Sequence, residues 1–123
     1  MLCRCDIILP NMEILVIRKK ATREEIQEML KTLDSYIKIA VDIEQGILAG
    51  GGIMHADCEA VLLEHESKQE NIWGANWDPV TKTIEFDALI NIRPRQNNRK
   101  MQIQDFEIRS KVEQITRNLL ELA

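Results

Sequence analysis

Apolar residues recur at helical spacing near both ends of this chain and at strand spacing in between. Ile26, Met29, Leu30 and Leu33 share one face of a segment opened by Thr22 and Glu25, the pair that forms a capping box. Arg23, Glu24, Glu28 and Lys31 take the other side, and the helix should end near Asp34 and Ser35. Toward the other end, Ile108, Val112, Ile115, Leu119 and Leu122 follow Asp105, a natural N-cap, and make a seam suited to docking on a sheet. Between the helices, Met12–Lys20 reads as an opening strand. Tyr36–Ile43 turns through Glu44-Gln45-Gly46 into Ile47–Ala49 as a hairpin. Ile72–Trp77 and Thr83–Ile92 flank the proline turn Asp78–Lys82 as two further strands. In the second of these, Ile84, Phe86, Ala88, Ile90 and Ile92 alternate onto one face, and Leu89 is the exception. The run 58–66 is too short for its periodicity to arbitrate. It could make two helical turns capped by Asp57, but we read it as a strand because the next two segments extend the same pattern.

This order predicts an α+β domain, a mostly antiparallel meander sheet with an N-terminal helix and a C-terminal helix packed on one face. The domain spans residues 12–123. Residues 1–11 are expected to be a leader, since Met12 opens a complete strand; an added edge strand over Asp6–Leu9 is the alternative, weakened by Pro10-Asn11. A chain of 123 residues can bury a core without disulfides or metal. No apolar run approaches the roughly 18 residues of a membrane span. Three cysteines, two of them in Cys3-Arg4-Cys5, suit a reducing compartment, so a cytoplasmic location is expected. Cys3, Cys5, Cys58 and His55 are the soft ligands available, but zinc spacings normally come as two matched pairs, so no metal or other cofactor is assigned.

Charge divides the chain. Residues 21–90 carry five Lys or Arg against fourteen Asp or Glu, whereas residues 91–123 carry seven against four. Such bipolarity suits complementarity within the chain or between copies, and it argues against a broad nucleic-acid surface. The Gly50-Gly51-Gly52 run leads into His55 and Asp57, the candidate catalytic residues. On a strand, His55, Asp57 and Glu59 would point the same way, as a base with its orienter or a ligand set. The bland alternative is that Asp57 bonds local amides as a turn residue. The triglycine lacks the Gly-Lys-Ser/Thr of a phosphate loop. Arg93, Arg95, Arg99 and Lys100, with Asn91, Asn97 and Asn98, form a cationic loop suited to a carboxylate, a phosphate or an acidic face; the alternative is internal pairing with the acidic middle. Trp73 and Trp77 share a strand face and are expected in the core.

Val41–Ala49, Gly51-Gly52, His55-Ala56-Asp57, Leu62–Glu64, Ser67-Lys68-Gln69, Ile72-Trp73-Gly74 and Ile90–Pro94 together resemble a family of small bacterial and archaeal proteins, a domain of unknown function. The resemblance covers roughly residues 12–120, supports Met12 as the start, and assigns no catalytic residue. Members carry Asp-Gly-Ser where this chain has His65-Glu66-Ser67, which the resemblance reads as a hairpin turn. Two functions follow. The favoured one is a non-catalytic binding or interaction domain, a homo-oligomer whose basic loop takes an acidic protein partner or anionic small molecule, with Gly51, Gly52, Asn91, Arg93, Arg95 and Arg99 as ligand-binding residues. The alternative is a small metal-assisted hydrolase or acid/base enzyme using His55 and Asp57. Meeting of segments 50–57 and 91–99 in one cleft would favour the enzyme, and separate surfaces would favour binding.

Overall fold

Five strands and three helices account for most of the chain from Ile14 onward; the computed structural model describes residues 14–122. The leader expected over residues 1–11, and its alternative edge strand, lie outside the described residues. In chain order the elements are β1 (Leu15–Ile17), α1 (Arg23–Leu30), β2 (Ile37–Asp42), β3 (Ile47–Gly50), α2 (His55–Glu64), β4 (Ile72–Asp78), β5 (Thr83–Glu85) and α3 (Phe106–Leu120). Short 3-10 turns occupy Gln69–Asn71, Leu89–Asn91 and Pro94–Gln96.

The N-terminal caps of α1 and α3 form as expected, whereas α1 ends at Leu30, short of the Asp34 and Ser35 expected. The Thr22 hydroxyl accepts from Glu25 N at 3.1 Å, and the Glu25 carboxylate accepts from Thr22 N at 2.9 Å. Asp105 caps α3 by accepting from the amides of Glu107 and Ile108. The β2–β3 turn is held by Asp42, a fully buried carboxylate that accepts four hydrogen bonds. Its Oδ1 accepts from the amides of Glu44 and Gln45, and its Oδ2 accepts from Ser67 Oγ at 2.6 Å and Gln45 Nε2 at 3.0 Å. A buried charge is tolerated only with such full pairing.

The sheet is antiparallel throughout, in the order β1-β3-β2-β4-β5. It is therefore α+β as expected, but not a simple meander, because β1 pairs β3 rather than β2. Ala40 marks the centre, opposite Ala49 on one side and Gly74 on the other. Alternation along β2, β3 and β4 then divides the core into two. Ile37, Ile39, Val41, Leu48, Trp73, Ala75 and Trp77 face α1 and α3, which contribute Ile26, Met29, Val112 and Leu119. Ala40, Ile47, Ala49 and Ile72 face the opposite way, onto Cys58, Val61 and Leu62 of α2.

Helices thus cover both faces, and this corrects the one-face expectation. The reason is α2 itself, since residues 58–66 are helix to Glu64 and not a strand. Segment 55–64 holds one β-branched residue, Val61, among good helix formers. Its C-terminus closes with the amides of Ser67 and Glu66 donating to the carbonyls of Leu62 (3.0 Å) and Leu63 (3.2 Å), and Glu66 takes φ 73°. That is a Schellman motif, in which the left-handed residue suits glycine. The strand expected over Thr83–Ile92 also ends early, at Glu85; residues 89–91 coil into a 3-10 turn at Leu89, the position that broke the alternation.

Candidate functional site

The turn into α2 places the first candidates. Gly51 adopts φ 104°, which a side chain would oppose. Its amide donates to Lys38 O (3.1 Å) and its carbonyl accepts from Thr32 Oγ1 (2.6 Å). Gly52 is buried against Ile14 and Cys58. Asp57 lies in the first turn of α2 and its Oδ2 accepts from Met54 N at 3.2 Å, as the local-amide alternative anticipated. Because residues two apart on a helix point to nearly opposite sides, His55 and Asp57 diverge, and the shared orientation expected on a strand is corrected.

His55 turns onto β4. Its Nε2 lies 3.0 Å from Ala75 O and 2.8 Å from Asn76 Oδ1. A carbonyl oxygen only accepts, so the proton sits on Nε2 and Nδ1 carries the lone pair. Burial pulls the imidazole pKa below 6.5, against the opposing effect of those two hydrogen bonds; the Lys38 ammonium adds to the lowering. His55 is therefore neutral at pH 7. It forms one wall of a cleft of about 380 Å³ whose other sides include Lys38, Met54, Asp87, Leu89 and Met101.

Arg93, at the start of the cationic loop, spends its guanidinium internally. It stacks on the Trp73 ring at 4.8 Å, donates from Nε to Ile90 O and from one Nη to Gln69 O, and pairs with Glu59 of α2 at 3.2 Å. Both charged side chains of that pair are 11% exposed. Burial lowers the Arg93 pKa and Glu59 raises it in opposition. Asn91 is wholly buried. Its Oδ1 accepts from Gly74 N at 2.8 Å, and its Nδ2 lies within hydrogen-bonding distance of the carbonyls of Gly74, Phe86 and Met101. Asn98, also buried, directs its Nδ2 at the carbonyls of Asn91, Lys100 and Gln102, and its Oδ1 accepts from Gln104 N. Among the loop cations, internal pairing thus describes Arg93, whereas Arg95 and Arg99 are exposed and form no ion pair among the described residues.

Arg95 stands with Arg93, Glu59, Ile92 and Leu89 around a second cleft of about 430 Å³. The two clefts share Leu89 and Ile90. Segments 50–57 and 91–99 therefore border adjoining clefts across the 89–91 turn and do not close on one. Among the described residues, no three of His, Cys, Asp and Glu gather as a metal set. Cys58 is buried, its thiol pushed up to about 12 by burial, and its Sγ donates to Lys38 O. Trp73 and Trp77 are core, as expected. Sequence reasoning missed Lys38, Asn76, Asp87 and Met101; the single available signal was Leu89, the apolar residue out of phase.

A model of the family described as "Protein of unknown function (DUF5674)" matches residues 15–119. The chain belongs to this family. No curated protein and no solved structure matches the chain. Within this DUF5674 chain the motif residues are largely one another's partners. Arg93 of Ile90–Pro94 covers Trp73, Asn91 grips Gly74, and Ser67 binds Asp42. No described helix is long and apolar enough to cross a membrane.

Proposed function

We propose that this protein is a non-catalytic, cytoplasmic interaction domain working through the face that joins the start of α2, the 89–91 turn and the base of the cationic loop. One observation carries the reading. Of the eight large hydrophobic side chains exposed among the described residues, four, Met54, Leu89, Ile92 and Met101, line the two adjoining clefts. Exposed apolar groups scattered singly need no explanation, but a cluster rimmed by polar groups marks a contact surface. Arg95 supplies a cation at one margin, and Arg99 and Lys100 follow on the same loop, which the two buried asparagines hold in shape. A preorganised loop loses little entropy on binding.

The acid/base alternative has one point in its favour, the neutral His55 with a lone pair on Nδ1. Its Nε2–H is oriented by Ala75 O and Asn76 Oδ1 and by no carboxylate among the described residues, and Asp57 is engaged at Met54. The test is in-cell photocrosslinking with p-benzoylphenylalanine placed at Leu89 and, as control, at Val80, which is 85% exposed in the β4–β5 turn. A discrete protein adduct from position 89 and none from position 80 supports the reading. Equal or absent crosslinking at both positions overturns it.

A further inference from the structure

We infer that the partner at this face is a second copy of the same chain, docked about a two-fold axis that passes through Leu89. The inference rests on the interaction-domain reading and adds the identity of the occupant. A surface can meet its own copy about a two-fold axis only if it is complementary to itself after that rotation. Three features of this face meet the condition.

The first is shape. Leu89, 64% exposed, borders both clefts, so rotation about it lays the His55 cleft of one copy on the Arg95 cleft of the other. The second is apolar matching. That rotation sets Met54 and Met101, from the first cleft, against Ile92 of the second, while Leu89 meets its own equivalent at the axis. The apolar centre is then covered on both copies at once.

The third is charge. On the His55 side, Asp87 lines the cleft, and Asp78 and Glu85 line the concavity that continues it through Tyr36 and Asn76. Three carboxylates there outnumber the one cation, Lys38. On the other side Glu59 and Arg93 neutralise each other and leave Arg95. One margin is acidic and the other basic, so a two-fold pairs unlike margins twice. A two-fold axis turned to lie along the line joining the two margins would instead set acid against acid. The division of charge along the chain, acidic over residues 21–90 and basic after it, becomes an interface property here.

Sedimentation velocity on the full chain and on charge variants tests this. The wild type should sediment as a dimer and Leu89→Glu as a monomer, with unchanged far-UV circular dichroism because the side chain is exposed. Asp87→Lys and Arg95→Glu should each weaken dimerisation at least tenfold, since each puts like charges together at both margins. Mixing those two variants should restore a dimer, because Lys at 87 of one copy then faces Glu at 95 of the other and Arg95 still faces Asp87. The combined variant Asp87→Lys/Arg95→Glu should dimerise with itself for the same reason. A monomeric wild type, a Leu89→Glu variant that remains dimeric, or single charge variants that fail to recover on mixing overturns the inference. A monomeric wild type whose position 89 crosslinks to a different protein overturns self-association alone and leaves the interaction-domain reading standing; no crosslink at 89 removes both.

Discussion

Replacing Asn91 by Ala should destabilise the fold severely, although the residue reads in sequence as a ligand contact. β5 pairs only with Asn76–Asp78, so the outer edge of β4 at Gly74 has no strand beside it among the described residues. The Asn91 side chain takes that place, accepting from Gly74 N and donating to Gly74 O. The carbonyls of Phe86 and Met101 would keep other donors, the amides of Ile103 and Ala88. Truncation therefore orphans two buried backbone groups, both on Gly74. At about 1–3 kcal/mol for each unsatisfied group, the loss is roughly 2–6 kcal/mol. Against a typical total of about 5–15 kcal/mol, this is enough to lower the unfolding midpoint substantially. Urea denaturation followed by tryptophan fluorescence reads it directly, with the m-value unchanged if the native state stays as compact. Asn91→Asp should be at least as damaging, because a carboxylate cannot donate to Gly74 O. A loss under about 1 kcal/mol for Asn91→Ala would refute the claim that the amide acts as the missing strand.

Other outcomes follow from the same geometry. Glu66→Gly should stabilise the protein by about 0.5–1 kcal/mol, visible as a Tm rise of a few degrees, since glycine accepts the left-handed φ without strain but gives back some entropy in the unfolded chain. Arg93→Met should cost about 3–5 kcal/mol by leaving Glu59 buried without a counterion, and the double variant Glu59→Leu/Arg93→Met should lose less than the single one; a double variant that is worse would contradict this. His55 has a folded pKa below its unfolded value of 6.5, so the unfolded chain binds more protons between the two. Its contribution is therefore complete above about pH 6.5 and falls as pH drops toward the folded value. The difference in stability between wild type and His55→Gln, measured across that range, should shrink in the same direction.

Elements whose determinants are local could be read from the chain. Thr22 with Glu25, Asp105 before an apolar seam, and the alternation of Ile37, Ile39 and Val41 each name their structure within a few residues. The α2 helix was misread because its buried side includes Glu59, which pattern analysis assigns to solvent. What buries Glu59 is Arg93, thirty-four positions away, and no local signal announces that pairing. The hairpin turn that the resemblance implied at His65-Glu66-Ser67 misled for a related reason. A glycine in the left-handed region serves a hairpin and a helix C-terminus equally, and Glu66 occupies the second kind. The site was legible as single residues, His55 and Arg93 among them, and illegible as a surface. Which cations remain outward depends on Trp73 and Glu59 taking up Arg93, and the partition of the clefts depends on a turn at Leu89 that alternation alone treats as an irregularity.

The amide of Asn91 on Gly74 has a consequence for how chains of this kind can meet. An open strand edge is a template onto which any extended backbone can hydrogen-bond, and exposed edges of this sort drive runaway assembly. At Gly74 that template is occupied by a side chain that satisfies both the donor and the acceptor, and a Cβ at Gly74 would lie 2.5 Å from the Ala88 Cβ, so the segment above it fits no thicker residue. Polymerisation by strand addition is thereby blocked along this part of the sheet. Contacts on this side of the molecule must be made by side chains, which can be selective about their partner in a way that a bare backbone cannot.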